Sequence, residues 1–463
     1  MTARHIYRRR AAALGALAAF GVLAACAPMD RPAGGLSFPF FGSYQATRAS
    51  TPVLVSNDAW WQRLNDPVLD ELITQALSQN LDLAIATERI REARAQAATI
   101  DSGISLDPSL SARRQGQTNG DATNTGTARL GFEWLLDPFG GQAATRRAAG
   151  ARIDVAAAEA DAARLLVLLN TANAYVDLRY RERLVTLRSR ELEGRKRTLA
   201  LTRDRAAADE ATRLDITRSQ ARVAELEAEL PGLRSAVAAT RNELAVLVGT
   251  MPGAFEMPEG RSGHIPNPNL SPEVGIPADL LRNRPDVRVA ERSYYVALAE
   301  LEAAEAARYP SLSLSGAISV NLLSPNSGGP SYFFGPSVQF PDLIGNSDEA
   351  RAEARASLLR QAYTGWQSTV LDAILEVENA LLEYQAVTAS SAAAARASRL
   401  YRETRDLTRE IFGAGEATLT DLIDAESSVA RAEVTEAEAA LNRARAFVEL
   451  NVRIGAGHAV GRD

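Results

Sequence analysis

The chain has one cysteine, three histidines and few aromatic residues, and each scarcity closes off a class of function. A lone cysteine, Cys26, allows no intramolecular disulfide. Of the histidines, His5 lies in the N-terminal leader, while His264 and His458 stand in no metal-ligand spacing and near no credible nucleophile. Both read as surface or loop residues. Gly455-Ala456-Gly457 is not a phosphate loop, because no Lys-Ser or Lys-Thr follows it. An enzyme has no residues to stand on, and neither a metal nor a cofactor is expected. Basic charge is not in excess either, since 51 Lys and Arg against 57 Asp and Glu give a net charge of −6, which offers no basic face to nucleic acid. Aromatics at 6% beside abundant alanine suit long helices in close contact better than a thick aromatic core.

What is present begins with an address. Arg4, Arg8, Arg9 and Arg10 precede an apolar stretch over residues 11–24, too short for a convincing membrane span and laid out like a bacterial export signal. Leu23-Ala24-Ala25-Cys26 then resembles a lipobox, in which the cysteine is acylated and becomes the first mature residue. The alternative is an unmodified thiol buried in a helix. Removing residues 1–25 takes away four bases and no acids, leaving 47 minus 57, or −10. Ala27 rather than Asp follows the cysteine, which by the usual sorting pattern points to the outer membrane. One acylated cysteine supplies an anchor and not a path through the bilayer.

Four short patterns recur in the same order about 204 residues apart. Leu77-Ser78-Gln79-Asn80-Leu81-Asp82 returns as Leu281-Arg282-Asn283-Arg284-Pro285-Asp286, and Pro108-Ser109-Leu110-Ser111 as Pro310-Ser311-Leu312-Ser313. Asp137-Pro138-Phe139-Gly140 returns as Asp342-Leu343-Ile344-Gly345, and Glu210-Ala211-Thr212 with Asp215 as Glu416-Ala417-Thr418 with Asp421. The expected organisation is a signal peptide (1–25), a linker behind the anchor (26–58), a first repeat (59–250), a short linker (251–274), a second repeat (275–457) and a tail (458–463). Each repeat opens on helices; in the first, Asp66-Pro67 marks a helix start and a second helix runs from 81 to 100.

The period then changes from helical to alternating. Leu130, Phe132 and Trp134 alternate with Arg129, Gly131 and Glu133, and Leu312, Leu314 and Ile318 alternate with Ser311, Ser313 and Ser315. Each half supplies two strands of about ten residues around a Gly/Asn/Ser/Thr-rich loop, at 116–126 and 324–331, and about ten residues crosses a bilayer as a tilted strand. The alternating apolar residues are the expected lipid-facing set. Four strands cannot close a barrel, and an open edge in lipid leaves backbone groups unsatisfied. The chain must therefore share its barrel with copies of itself, and three copies give twelve strands. A soluble sandwich would use the same alternation and remains the alternative on the strands alone.

After each hairpin comes a very long helical stretch. Residues 142–208 contain no proline, so a continuous helix there is roughly 100 Å long. Its return, 213–248, carries Leu226, Leu230, Leu233, Val237, Leu244 and Leu247 at coiled-coil spacing, with Pro231-Gly232 predicting a kink or break. Residues 347–412 and 419–454 match in the second half.

Several segments now resemble a known family: Trp61-Gln62-Arg63-Leu64-Asn65-Asp66-Pro67, Trp134-Leu135-Leu136-Asp137-Pro138-Phe139-Gly140, residues 275–286 from Gly275 to Asp286, and Glu376-Val377-Glu378-Asn379-Ala380-Leu381. They are similar to the outer-membrane factor proteins of efflux systems, the TolC-like channels, and to their NodT/OprM-like lipoprotein branch paired with RND pumps. Asn283 stands where that family commonly has arginine. The resemblance implies a mainly α fold, a homotrimer whose shared twelve-stranded outer-membrane β-barrel continues into a periplasmic tunnel of long helical hairpins. It also implies a periplasmic adaptor (membrane fusion protein) and an inner-membrane RND-type pump as partners, and no cofactor in this chain. Asp421, Asp424 and Asp215 fall where the family has an acidic periplasmic aperture, and Asp421 and Asp424, three apart, share a helix face. An aspartate near a helix N-terminus also simply complements the helix dipole. Ala208, Asp209, Gly413 and Gly415 mark the hairpin tips expected to dock a partner, and the aromatic and basic latch of some relatives falls here on Phe412 and Ala417. The expected function is the passive exit duct of a tripartite pump. The alternatives are a type I protein-secretion outlet of the same fold, or a periplasmic coiled-coil adaptor lipoprotein that would need no membrane strands.

Overall fold

A computed structural model describes residues 36, 38–40, 42–46, 55, 58–100, 103–116, 118, 122–259, 262–268, 274–323, 329–341 and 345–458. The chain divides into two units, Met1–Pro39 and Phe40–Asp463, and all that follows concerns the second. Cys26 and the expected signal peptide (1–25) lie outside the described residues.

The elements follow one another as α1 (Pro67–Gln79), α2 (Leu81–Ala98), β1 (Ile104–Gln115), β2 (Thr123–Leu136), α3 (Gly141–Ala207), α4 (Arg213–Leu247), α5 (Leu280–Asn283), α6 (Pro285–Ala306), β3 (Ser311–Asn321), β4 (Ser331–Gln339), α7 (Ser347–Gly413) and α8 (Leu419–Arg453). The two long helices, α3 and α7, have 67 residues each, and the two return helices, α4 and α8, have 35 each. At 1.5 Å per residue the long ones extend about 100 Å.

Local chemistry sets the starts. Asp66 accepts hydrogen bonds from the amides of Val68 and Leu69 ahead of Pro67, so α1 begins where a proline cannot harm the ladder. The Asp137 carboxylate accepts from the amides of Gln142 (3.2 Å) and Ala143 (2.9 Å) and so caps α3 directly after β2. Phe139 stacks on Tyr309 with centroids 4.6 Å apart, which ties the foot of the first strand pair to that of the second. Of the kink or break expected at Pro231-Gly232, the break does not occur: α4 is one helix with Pro231 inside it. Pro231 and Glu227, whose carbonyl loses its donor, both lie on the exposed side of the helix, while Leu226 and Leu230 pack inward against Leu192 and Leu199.

The four strands form one antiparallel sheet in the order β1-β2-β3-β4. Its register places Leu130 opposite Ile318, Trp134 opposite Leu314 and Leu136 opposite Leu312, so even-numbered residues share one face. The helices lie beside one another in matching order. Near the sheet α2 packs on α3, α3 on α6 and α6 on α7; toward the far tips α4 packs on α3, α3 on α8 and α8 on α7. The densest core sits between these levels, where Trp60, Leu69, Leu72, Ile73, Leu168, Tyr175, Trp366 and Phe447 are fully buried.

A chain of polar groups runs through that core. Tyr175 donates to Asp66 (2.6 Å), Arg179 donates to Tyr175 (2.9 Å) and to Glu182 (2.9 Å), and Arg241 and the Gly263 amide complete the Glu182 shell. Burial pushes the Glu182 carboxyl up, but those donors outweigh it and hold its pKa below the usual range. Part of the N-terminal segment also lies on the body. Tyr44 and Val55 are buried, the amides of Gln45 and Ala46 donate to Glu378, and that of Val55 donates to Asn283.

Candidate functional site

Two regions carry the expected functional residues, the sheet and the helical tips. The sheet has two chemically distinct faces. On the even face stand Ile104, Leu106, Leu110, Leu130, Phe132, Trp134, Leu312, Leu314, Ile318, Tyr332, Phe334 and Val338, and the single charge is Arg114, at the hairpin end of β1. Many of these are open to the surroundings in the single chain; Leu110 is 76% and Phe334 69% exposed, which in water would be a large unfavourable apolar patch. The odd face is mostly Ser, Thr, Gly, Asn and Gln with Asp107, Arg113, Arg129 and Glu133, and its apolar residues are Leu135, Ala317 and Phe333. All six residues expected to face lipid thus fall on the same side of one sheet.

At the far end the two hairpin tips have closely matched backbones. The Glu210 amide donates to the Arg205 carbonyl (2.8 Å) and the Glu416 amide to the Ile411 carbonyl (3.0 Å), closing equivalent turns. Each turn passes through one left-handed residue, Asp209 at φ 58° in the first and Gly415 at φ 80° in the second. Ala208, Asp209, Gly413 and Gly415 are all exposed.

Asp215 and Asp421 hold equivalent positions just beyond the turns. Each closes a capping box: the Thr212 hydroxyl (2.7 Å) and amide (3.0 Å) donate to Asp215, and the Thr418 hydroxyl (2.6 Å) and amide (2.9 Å) donate to Asp421. Those hydroxyl and amide donors hold both carboxyls below the ordinary aspartate range, so both remain ionised well into acid. Asp424 lies one turn further along α8 and is exposed.

The sequence did not reveal how the two hairpins are tied together. Glu426 of α8 is almost buried and accepts from Arg195 of α3 (3.2 Å) and Arg409 of α7 (3.2 Å), while Arg195 also donates to Ser427 (2.7 Å). Closer to the tip, the Arg205 guanidinium of α3 lies 4.1 Å from the centroid of the buried Phe412 ring on α7. Phe412 thus has a basic neighbour, supplied by the other hairpin and not by position 417. Arg195 and Glu426 are 231 residues apart and no local pattern links them.

His264 is exposed, whereas His458, outside any helix or strand as a loop residue would be, is not at the surface, being 1% exposed. Its Nδ1 lies 2.8 Å from the Gly455 carbonyl, which can only accept, so Nδ1 carries the proton and Nε2 faces the Arg288 guanidinium at 3.2 Å. Among the described residues no helix is long and apolar enough to cross a membrane, and no group of three or more His, Cys, Asp or Glu is placed to hold a metal ion.

Comparison with known proteins matches this architecture throughout. A sequence model of the family described as outer membrane efflux protein matches residues 72–250 and 276–456. Nodulation protein T of Rhizobium leguminosarum bv. trifolii is 33% identical over 415 residues, covering 86% of this chain and 88% of that one. The pyoverdine export outer membrane protein OpmQ of Pseudomonas aeruginosa is 27% identical over 463 residues, covering 94% and 95%. Among solved structures, the outer-membrane channel OprN superposes with a TM-score of 0.82 at 25% identity, covering 92% of this chain and 99% of that one.

Proposed function

Since the chain belongs to the outer membrane efflux protein family, we propose that it works as the passive exit duct of a tripartite pump, a lipid-anchored homotrimer gated at its periplasmic tips. The observation that carries this reading is the pair of open sides. At every level the single chain ends on one side in an element of its first half (β1, α2, α4) and on the other in an element of its second half (β4, α7). Such a strip closes only head to tail, with β4 of one copy against β1 of the next and α7 against α4. Three copies bring twelve strands, and closure removes the edges that lipid does not tolerate.

In that ring the even face meets lipid and the odd face lines the lumen. Cys26 would hold an acyl anchor. The tips would meet a periplasmic adaptor that links the duct to an inner-membrane RND-type pump. Charge rings from Asp421, Asp424 and Asp215 would narrow the mouth to anions and bind cations, and the low pKa of the two capping aspartates favours permanent charge. The Arg195–Glu426 and Arg205–Phe412 contacts would hold the inner ends of the two hairpins together in the resting state. A protein-secretion outlet would use the same duct, whereas a strandless coiled-coil adaptor does not fit a four-stranded sheet with an apolar face.

The test is to purify the protein in detergent, count subunits and record conductance after reconstitution. A trimer with small, discrete steps is the expected result, and a monomer without conductance ends the reading. For the gate, Asp421→Asn with Asp424→Asn keeps the Thr418 cap while removing the charge, and should raise unit conductance and relieve block by divalent cations. Unchanged conductance and block would remove the aspartates from the gate.

A further inference from the structure

Phe333 stands out on the polar sheet face. That face is built from the odd-numbered positions, and among the described strand residues Phe333 is its only aromatic. The ring is 54% exposed, beside Ala317 and Gly335, and so gains little from burial. What it does have is a cation. Arg129 of β2 reaches across β3 and sets its guanidinium 5.6 Å from the Phe333 centroid. No carboxylate among the described residues lies within salt-bridge distance of Arg129.

The register orders the remaining charge on this face. Glu133 pairs with Ser105 and Asp107 with Gly131, toward the helical end of the sheet. Arg129 pairs with Ser109 at mid-strand, and Arg113 with Thr125 toward the hairpin loop. The face is therefore acidic near the helices and basic near the outer end. A guanidinium leaning on a ring is restricted in orientation while its N–H groups stay free to donate to a carboxylate, sulfonate or phosphate, and the ring edge beside it offers an apolar contact.

We propose that Arg129 and Phe333, repeated around the ring, form a binding station for organic anions that carry an apolar or aromatic body, midway along the barrel lumen where the polar face turns from acidic to basic. The inference rests on the channel reading above and adds a ligand class to it. A molecule that has passed the acidic tips and the acidic end of the sheet would then meet the station, where a weak site favours anions without trapping them.

The experiment uses the full-length trimer in planar bilayers at low salt, with naphthalene trisulfonate added to either side as the probe. Dose-dependent block from one side is expected, with at least tenfold weaker block for Arg129→Gln, several-fold weaker for Phe333→Leu, and partial retention for Arg129→Lys. Asp107→Asn should leave the block within twofold, and a cationic probe of similar size should not compete. If wild type conducts and Arg129→Gln, with unaltered subunit number and unit conductance, is blocked as well as wild type, the station is overturned while the duct stands. If wild type does not conduct at all, the duct fails first and the station with it.

Discussion

His458 shows how much one buried side chain can gather. The turn that carries it brings Gly455 so close to Asn283 that a Cβ there would stand 2.0 Å from the Asn283 carbonyl, and at φ 81° only glycine fits comfortably. Gly457 donates to Val55 of the N-terminal segment and accepts from Arg164 of α3, so the turn joins both halves of the chain to its beginning. His458 is pressed between Arg288 and Arg164 on one hand and Asp161 on the other. Burial is the largest influence and lowers its pKa, the Gly455 carbonyl and Asp161 oppose this, and the two arginines add to the lowering. A histidine whose folded pKa is depressed is fully accommodated above its unfolded value of about 6.5, and its contribution is lost as the pH falls from there through the folded pKa. The thermal midpoint of the purified protein should accordingly drop between pH 7.5 and 5.5. His458→Asn, whose amide can still donate to the Gly455 carbonyl, should flatten that dependence. Equal pH slopes for the two proteins would show that the acid sensitivity comes from elsewhere.

Among the elements, the two outer strands have a defect in common. The Leu135 amide donates to the Gly103 carbonyl, so odd residues of β1 point their backbone groups at β2 and even ones point away. The Leu322 amide donates to the Gly126 carbonyl, and the alternation carried through β3 turns the even residues of β4 away as well. Pro108 and Pro336 are both even, so each leaves the internal ladders intact and removes one donor from a free edge. Edges lacking donors are poorer templates for wrong pairing before assembly, and weaker once closed. In the trimer proposed above, Pro108→Val with Pro336→Val should strengthen the contact between copies by about 1 kcal/mol per restored bond, raising the temperature at which the assembly dissociates in detergent, while increasing aggregation during refolding. A lower dissociation temperature would count against outward-facing prolines. The strands themselves were legible because alternation is a local signal, and the long helices because nothing interrupts them. The break that Pro231 allowed does not occur, and the exposure of the Glu227 carbonyl that it leaves without a donor is not written in the local pattern. At the tips, Thr212 and Thr418 three residues before the aspartates carried a readable capping signal, whereas Glu426 meets Arg195 only through tertiary packing.

At the scale of the whole molecule, the open sides decide what the chain can be. Along α7 the side without a neighbour carries Leu371, Leu375 and Leu382 and, nearer the tip, Leu400, Leu407 and Ile411, all between 46% and 58% exposed. Their steps of 4 and 7, then 7 and 4, follow a coiled-coil seam, yet no helix of the same chain covers them. The other open side, on α4, is small along its middle, where Ala221, Ala224, Ala228, Ala238 and Ala239 are exposed, and carries exposed Leu214 and Val246 near its two ends. In the proposed ring the leucine ridge of one copy would lie on the α4 face of the next, a head-to-tail contact that propagates around a ring rather than stopping at a two-fold dimer. Leu400→Asp with Leu407→Asp places charge on the ridge and leaves the helix free to form, because neither side chain contributes to the buried core of the single chain. The expected product is a folded chain with wild-type helix content that no longer forms trimers in detergent. Trimers of undiminished stability would show that this ridge is not the contact between copies, and that closure depends on the strands alone.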